Sequence, residues 1–208
     1  WTDTNGALIP YHPRTINLRL ETLRKVLRRA VENKDIPSMP CTIKLLKTPT
    51  SLPRYATPEQ LKEWLACLSP EHRLRAQFSA NTGITDTDLS LLLWKDYDAD
   101  LALLSFTRRK TQEPNVIPLN KAAVSILTRL RKVAAGPYVF GGVKSVRRAY
   151  RTASANSGIN ITPHMLRHTF ATHLLSKGAP LSHLRVLLGH QDQKTTQIYA
   201  RVIPDYLR

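Results

Sequence analysis

His164, Arg167, His190 and Tyr199, close together near one end of the chain, are the residues whose types and spacing could do chemistry on an anion. Thr162 and Pro163 open a helix on which His164 and Arg167, three apart, project from one face and can hold one anion jointly. Three chemistries compete for this stretch. His164 and His168 stand four apart with His173, His183 and His190 nearby, as zinc ligands can. HMLRH lacks the glutamate of the zinc-protease HExxH pattern, however, and Arg167 would sit beside the cation. A helix pair broken at Gly189-His190 could be a helix-turn-helix that only binds DNA, which leaves His164, Arg167 and Tyr199 without a task. Phosphodiester transfer with Tyr199 as nucleophile employs all four residues. A phenol titrates near pH ~10 and so needs a base and an activated phosphate. Arg167 offers bidentate donors to the non-bridging oxygens, while His164 and His190 share phosphate stabilisation and proton handling, with no metal required. A tyrosine taken singly is more often a packed ring with a satisfied hydroxyl, and only the ordered set favours the chemistry.

The rest of the chain must position these groups. Its 208 residues, 42% of them apolar, suffice for one large domain or one domain plus a fragment, with a buried core. Lys and Arg number 31 against 15 Asp and Glu, a formal net charge of +16. Such an excess spread over folded segments favours a polyanion, nucleic acid before an acidic membrane, because no apolar run reaches spanning length and no basic amphipathic helix stands apart. Cys41 and Cys67 give no disulfide framework, and with no signal-like start they suggest a reducing compartment. A beginning at Trp1 without Met fits a piece of a longer protein.

Apolar residues Ile16, Leu20, Leu23, Leu27, Ala30 and Val31 form one stripe of a basic helix from Thr15 to about Lys34, with Arg19, Arg24, Arg28 and Arg29 on the remainder. Each arginine there serves equally well as a solvated face or a phosphate contact. A proline-rich linker follows, placing a domain boundary near Thr50. Thr57-Pro58-Glu59-Gln60 predicts a capped helix, Pro70 starts another that Gly83 stops, and a third runs from about Asp86 to Trp94. The runs from Leu101 to Thr107 and from Asn115 to Leu119 predict a hairpin with Arg108, Arg109 and Lys110 near its tip. Asn120 caps a helix that Gly136-Pro137 ends, the aromatic segment at 138–140 inserts into the core, and a further helix carries Arg147, Arg148 and Arg151. Helices from Pro163 to Lys177, Leu181 to Leu188 and about Thr195 to Val202 complete a mainly α fold with a small antiparallel β-sheet.

HMLRHTFATHLL followed by LLGHQDQKTTQIYA resembles the two C-terminal signature boxes of the tyrosine recombinase, or phage integrase, family. The resemblance covers residues 51–208 as a catalytic domain, and residues 1–50 as the last part of a core-binding, DNA-binding domain plus linker. It implies a metal-free and cofactor-free enzyme that cuts one DNA strand through a 3′-phosphotyrosyl bond, releases a 5′-hydroxyl and exchanges strands between sites. Tyr199 then matches the nucleophile, Arg167 the second arginine of the phosphate clamp, His164 a proton-transfer residue and His190 a phosphate hydrogen-bonding residue. Lys110 matches the lysine that protonates the leaving 5′-oxygen. Arg24, Arg28, Arg108, Arg109, Arg147, Arg148 and Arg151 are expected to contact DNA. The implied partner is double-stranded DNA held by a homotetramer on paired sites, in a prokaryotic cytoplasm and a phage or mobile-element setting.

One position departs from the family pattern. NTGITDTDLSLLLW keeps Thr82, Gly83, Asp88 and Leu89 but puts Thr85 where the first arginine belongs. A hydroxyl replaces neither the charge nor the fork of a guanidinium. Losing one charged transition-state donor costs roughly 3 kcal/mol, on the order of a hundredfold in rate. The expectation is a weakened or stalled recombinase, whether Thr85 is engineered or natural, with two alternatives: a DNA-binding relic without chemistry, or compensation by another base such as Arg73 or Arg75.

Overall fold

The computed structural model describes residues 11–48, 52–141, 145–189, 196, 198 and 199. The chain divides into two compact units, Trp1–Ser51 and Leu52–Arg208.

In the first unit, helix α1 spans Pro13–Glu32 and starts with proline at its first position, where a missing N–H costs nothing. No residue of α1 is buried, and Leu18 and Val26 lie open. The segment after α1 is tied back to it by side-chain hydrogen bonds. Asn17 donates through Nδ2 to Leu46 O at 2.8 Å and accepts from Leu46 N at 2.8 Å, while Arg24 donates to Ile43 O at 2.5 Å. The apolar stripe legible in the sequence is therefore half-covered at most within this unit, and Arg24 commits one donor to the chain itself.

The second unit opens with α2 (Pro58–Ala66), whose capping box is complete: Thr57 Oγ1 accepts from Gln60 N and Gln60 Oε1 accepts from Thr57 N. Helix α3 (Pro70–Thr82) ends at Gly83 in the left-handed conformation, φ +69°. The expected helix from Asp86 to Trp94 is only α4 (Asp86–Leu89). Beyond it the backbone turns extended to pair with the aromatic segment: Val139 N donates to Leu92 O and Trp94 N to Pro137 O, both at 2.9 Å. Those long-range bonds replace the helical ones. Strands β1 (Tyr97–Asp98), β2 (Leu103–Thr107) and β3 (Pro114–Pro118) form an antiparallel sheet in the order β1-β2-β3, with Leu104 opposite both Tyr97 and Ile117. The hairpin was expected from the sequence and β1 was not. Helix α5 (Lys121–Arg131) is capped by Asn120, whose Oδ1 accepts from Ala123 N at 2.8 Å. Helices α6 (Arg147–Ser157), α7 (Pro163–Ser176) and α8 (Leu181–Leu188) follow, and Ile198 and Tyr199 are helical beyond them.

Helix α3 runs between two apolar layers and packs against both α7 and α5. On one side Ala76 joins Trp64 and Leu65 of α2, Tyr150 of α6 with its cap residue Val146, Leu166 of α7, and Ile161 from the link between α6 and α7. On the other, Phe78 meets Leu104 and Ile117 of the sheet, Leu127 of α5 and Phe140. A third cluster joins Ala171 and Leu175 of α7 to Leu184 and Leu188 of α8 and to Tyr199. Among the described residues no helix is long and apolar enough to cross a membrane. The fold is mainly helical with one small antiparallel sheet, as the sequence patterns require.

Candidate active site

The site forms where α7, the end of α8, the turn after α3 and the start of the hairpin meet. Thr162 caps α7 by accepting from Met165 N, which fixes the helix phase: His164 is exposed in the first turn and Arg167, one turn on, is buried. The Arg167 guanidinium donates through Nη1 to Gly83 O at 2.8 Å and through Nη2 to Leu188 O at 2.5 Å. It thus ties the turn after α3 to the C-terminus of α8, where helix carbonyls lack intrahelical donors and attract cations. Gly83 is required there. Its φ is left-handed, and a Cβ would lie 2.5 Å from Cδ1 of Phe170.

Thr85 caps α4 and donates its hydroxyl to Asp88 Oδ2 at 2.7 Å. The other oxygen, Asp88 Oδ1, accepts from Arg109 N at 3.1 Å, so a single carboxylate joins the α4 turn to the hairpin. Arg109 and Lys110 are exposed there, but Arg108 is only 8% exposed and points away from solvent. Its Nη2 donates to Leu187 O at 3.3 Å, the carbonyl next to the one that Arg167 uses. The sequence placed Arg108 near the hairpin tip beside Arg109 and Lys110, and the structure buries it there while those two stay exposed.

Tyr199 is buried, and its hydroxyl lies 2.6 Å from His168 Nδ1. His168 in turn meets His164 edge to face, with ring centroids 4.3 Å apart. Burial, then the charges of His164 and Arg167, push His168 down to about 4, so at neutral pH its ring is uncharged and Nδ1 shares a hydrogen bond with the phenol. Burial raises the Tyr199 phenol, and Arg167 opposes that rise. The resting pair therefore keeps its proton on oxygen. Burial first, then the charges of Arg167 and Lys110, lowers His164. Arg167 is lowered to about 10 by burial and by Arg108.

Tyr199 thus meets His168, which meets His164, and Arg167 lies on the same helix as both histidines, with the charge of Lys110 acting on His164. His190 lies outside the described residues. Arg28, Arg109, Arg147, Arg148 and Arg151 are exposed, in keeping with a role at a surface. His173 serves the scaffold, its Nε2 3.0 Å from Ala56 O. The bases considered as substitutes for the first arginine are also committed elsewhere. Arg73 donates to the carbonyls of Leu65, Ala66 and Leu68, and Arg75 is paired with Asp86 at 2.6 Å. The tyrosine's partner, His168, was weighed in the sequence only as a metal ligand. Its position next to Arg167 and four residues from His164 was the available signal.

Residues 54–205 match the model of the phage integrase family. The chain belongs to this family. Among its relatives, tyrosine recombinase XerA of Thermococcus kodakarensis is 30% identical over 95% of this chain and 74% of its own length. Tyrosine recombinase XerC of Chlamydia trachomatis is 29% identical over 91% of this chain and 67% of its own. The family fold is equally evident in the Tn1549 transposon integrase, solved with a circular intermediate DNA: TM-score 0.72 at 20% identity, over 92% of this chain and 75% of that one. As a family member with recombinases as its relatives, the chain is a site-specific recombinase by class, and the pocket around Arg167 and Tyr199 falls within the matched residues.

Proposed function

We propose that this chain cuts and rejoins DNA through Tyr199. The observation that carries this reading is the buried Tyr199 hydroxyl held by His168 beside Arg167, a phenol and a phosphate-binding guanidinium in one pocket. In the forward step Tyr199 Oη forms a bond to the scissile phosphorus and loses its proton to a base of the site. The bond from phosphorus to the 5′-oxygen breaks, and that oxygen takes a proton from Lys110 and leaves as a 5′-hydroxyl. A 5′-hydroxyl from a second strand then attacks the phosphotyrosine, releasing Tyr199 and restoring a phosphodiester. Arg167 stabilises the charge on the non-bridging oxygens, with His164 and His190 assisting in hydrogen bonding and proton transfer. No metal or nucleotide enters this scheme.

Residues 51–208 act as the catalytic domain and residues 1–50 as the end of a core-binding domain, a reading supported by the division of the chain at Ser51. The functional assembly is a homotetramer on paired duplex sites, in the cytoplasm of a prokaryote and in a phage or mobile-element setting. Thr85 favours a second reading, a DNA-binding protein of the same fold without chemistry, because its hydroxyl is committed to Asp88. Duplexes selected by the protein from a random pool, rebuilt as nicked suicide substrates, separate the two. Strand transfer predicts a covalent protein–DNA band that Tyr199→Phe abolishes without changing the mobility shift. Binding with no covalent band would favour the second reading, and a band that survives in Tyr199→Phe would remove Tyr199 from its role.

A further inference from the structure

We infer that Arg108 supplies the second guanidinium of the phosphate site, standing in space where the sequence leaves Thr85 without one. The inference rests on the strand-transfer reading above.

The backbone delivers Arg108 to that place. Arg108 N donates to Glu113 O and Gln112 N to Arg108 O, both at 2.9 Å, which closes the hairpin tip and sets the direction of the side chain. The next amide, Arg109 N, is fastened to Asp88 Oδ1 while Thr85 holds Asp88 Oδ2, so one carboxylate links position 85 to the residue that follows Arg108. The Arg108 side chain lies across Gly189. A Cβ at that glycine would stand 2.6 Å from Cζ, 2.7 Å from Nε and 2.8 Å from Nη2 of Arg108. Only a residue without a side chain leaves this path open.

Two guanidiniums consequently meet at one helix end, Arg108 on Leu187 O and Arg167 on Leu188 O. Neither forms an ion pair with a carboxylate among the described residues, and Arg108 Nε is buried with no hydrogen-bond partner among them. Asp88 attracts both guanidiniums, but its two oxygens are taken by the Thr85 hydroxyl and the Arg109 amide, so two neighbouring cations withdrawn from water, one with a donor unused, still favour an anion between them. A phosphodiester in transfer carries extra negative charge on its non-bridging oxygens and matches two forks of donors.

The test measures the rate of covalent adduct formation on the selected suicide duplexes at saturating DNA, for the unaltered protein, Arg108→Ala, Arg108→Lys, and Thr85→Arg alone and combined with Arg108→Ala. The unaltered protein is expected to form adduct. Arg108→Ala should slow the step on the order of 10²–10³-fold, and adding Thr85→Arg should recover about tenfold or more. Arg108→Lys, which keeps the charge and loses the fork, should fall between. Arg108→Ala at the unaltered rate, or with weaker binding but an unchanged rate at saturation, would overturn the inference. Slowing that Thr85→Arg does not relieve would also overturn it, because a merely structural loss has no reason to be rescued from position 85. If the unaltered protein binds without adduct, the inference falls, and Thr85→Arg alone then judges the wider reading: adduct that Tyr199→Phe removes preserves it, and no adduct ends it.

Discussion

Burial holds Tyr199 and His168 in uncharged forms, and this has a sign in acid. An unfolded histidine takes up its proton near pH ~6.5, whereas His168 in the fold waits until about 4. Between those values the unfolded chain binds a proton that the folded chain does not, so stability falls as the pH drops through this window. His164 and His173 are lowered as well and add in the same direction. The urea midpoint is therefore expected to be lower at pH about 5 than at about 7.5, and His168→Asn should narrow the difference. An unchanged difference in His168→Asn would show that burial does not hold this imidazole neutral. At this scale the sequence was informative where a motif fixes spacing, as for His164, Arg167 and Tyr199. It was silent on His168 as the phenol's partner and on the burial of Arg108, because both depend on contacts between segments far apart: His168 with Tyr199, and Arg108 with Leu187.

Elements whose ends carry their own instructions were legible. Thr57 with Gln60, Asn120, Thr162 with Pro163, and Gly83 all place helix ends from local chemistry, and the structure puts caps at each. The helix expected to reach Trp94 failed for the opposite reason. Its residues have apolar rhythm enough, but Leu92 and Trp94 commit their backbone groups to Val139 and Pro137, partners that no local pattern announces. Strand β1, two residues long, was hidden likewise, since it exists only by pairing with β2. The turn after α3 offers a test of how local and distant demands combine. Gly83→Ala would force a left-handed conformation on a residue with a Cβ and press it against Phe170. The expected loss is about 1–3 kcal/mol in chemical denaturation, accompanied by weaker adduct formation as the Gly83 carbonyl moves away from Arg167. A stability within about 0.5 kcal/mol of the parent would show that the turn relaxes freely.

Across the whole molecule, the formal charge of +16 was the sequence's plainest statement about a partner. Helix α6 concentrates part of it: Arg147, Arg148 and Arg151 are exposed, while Tyr150 and Ala153 of the same helix face the core. Replacing the three arginines by alanine should leave the fold intact and weaken duplex binding at low salt. Every phosphate that these side chains no longer neutralise should reduce the slope of log affinity against log salt by about 0.9. A slope equal to the parent's would take α6 out of the interface. Charge alone could not say which cations face outward, and Arg108 is one that does not. Its placement follows from the alternation of β2, with Arg108 directly after Thr107 at the end of the strand. Slipping the hairpin by one residue against the carboxylate of Asp88 would bring Thr107 or Arg109 to the pocket instead. The second cation of this site is thus a matter of parity: the pocket is written into which residues of a strand are odd and which are even, and an insertion of one residue anywhere between Leu103 and Arg108 would erase it without touching a single residue of the site.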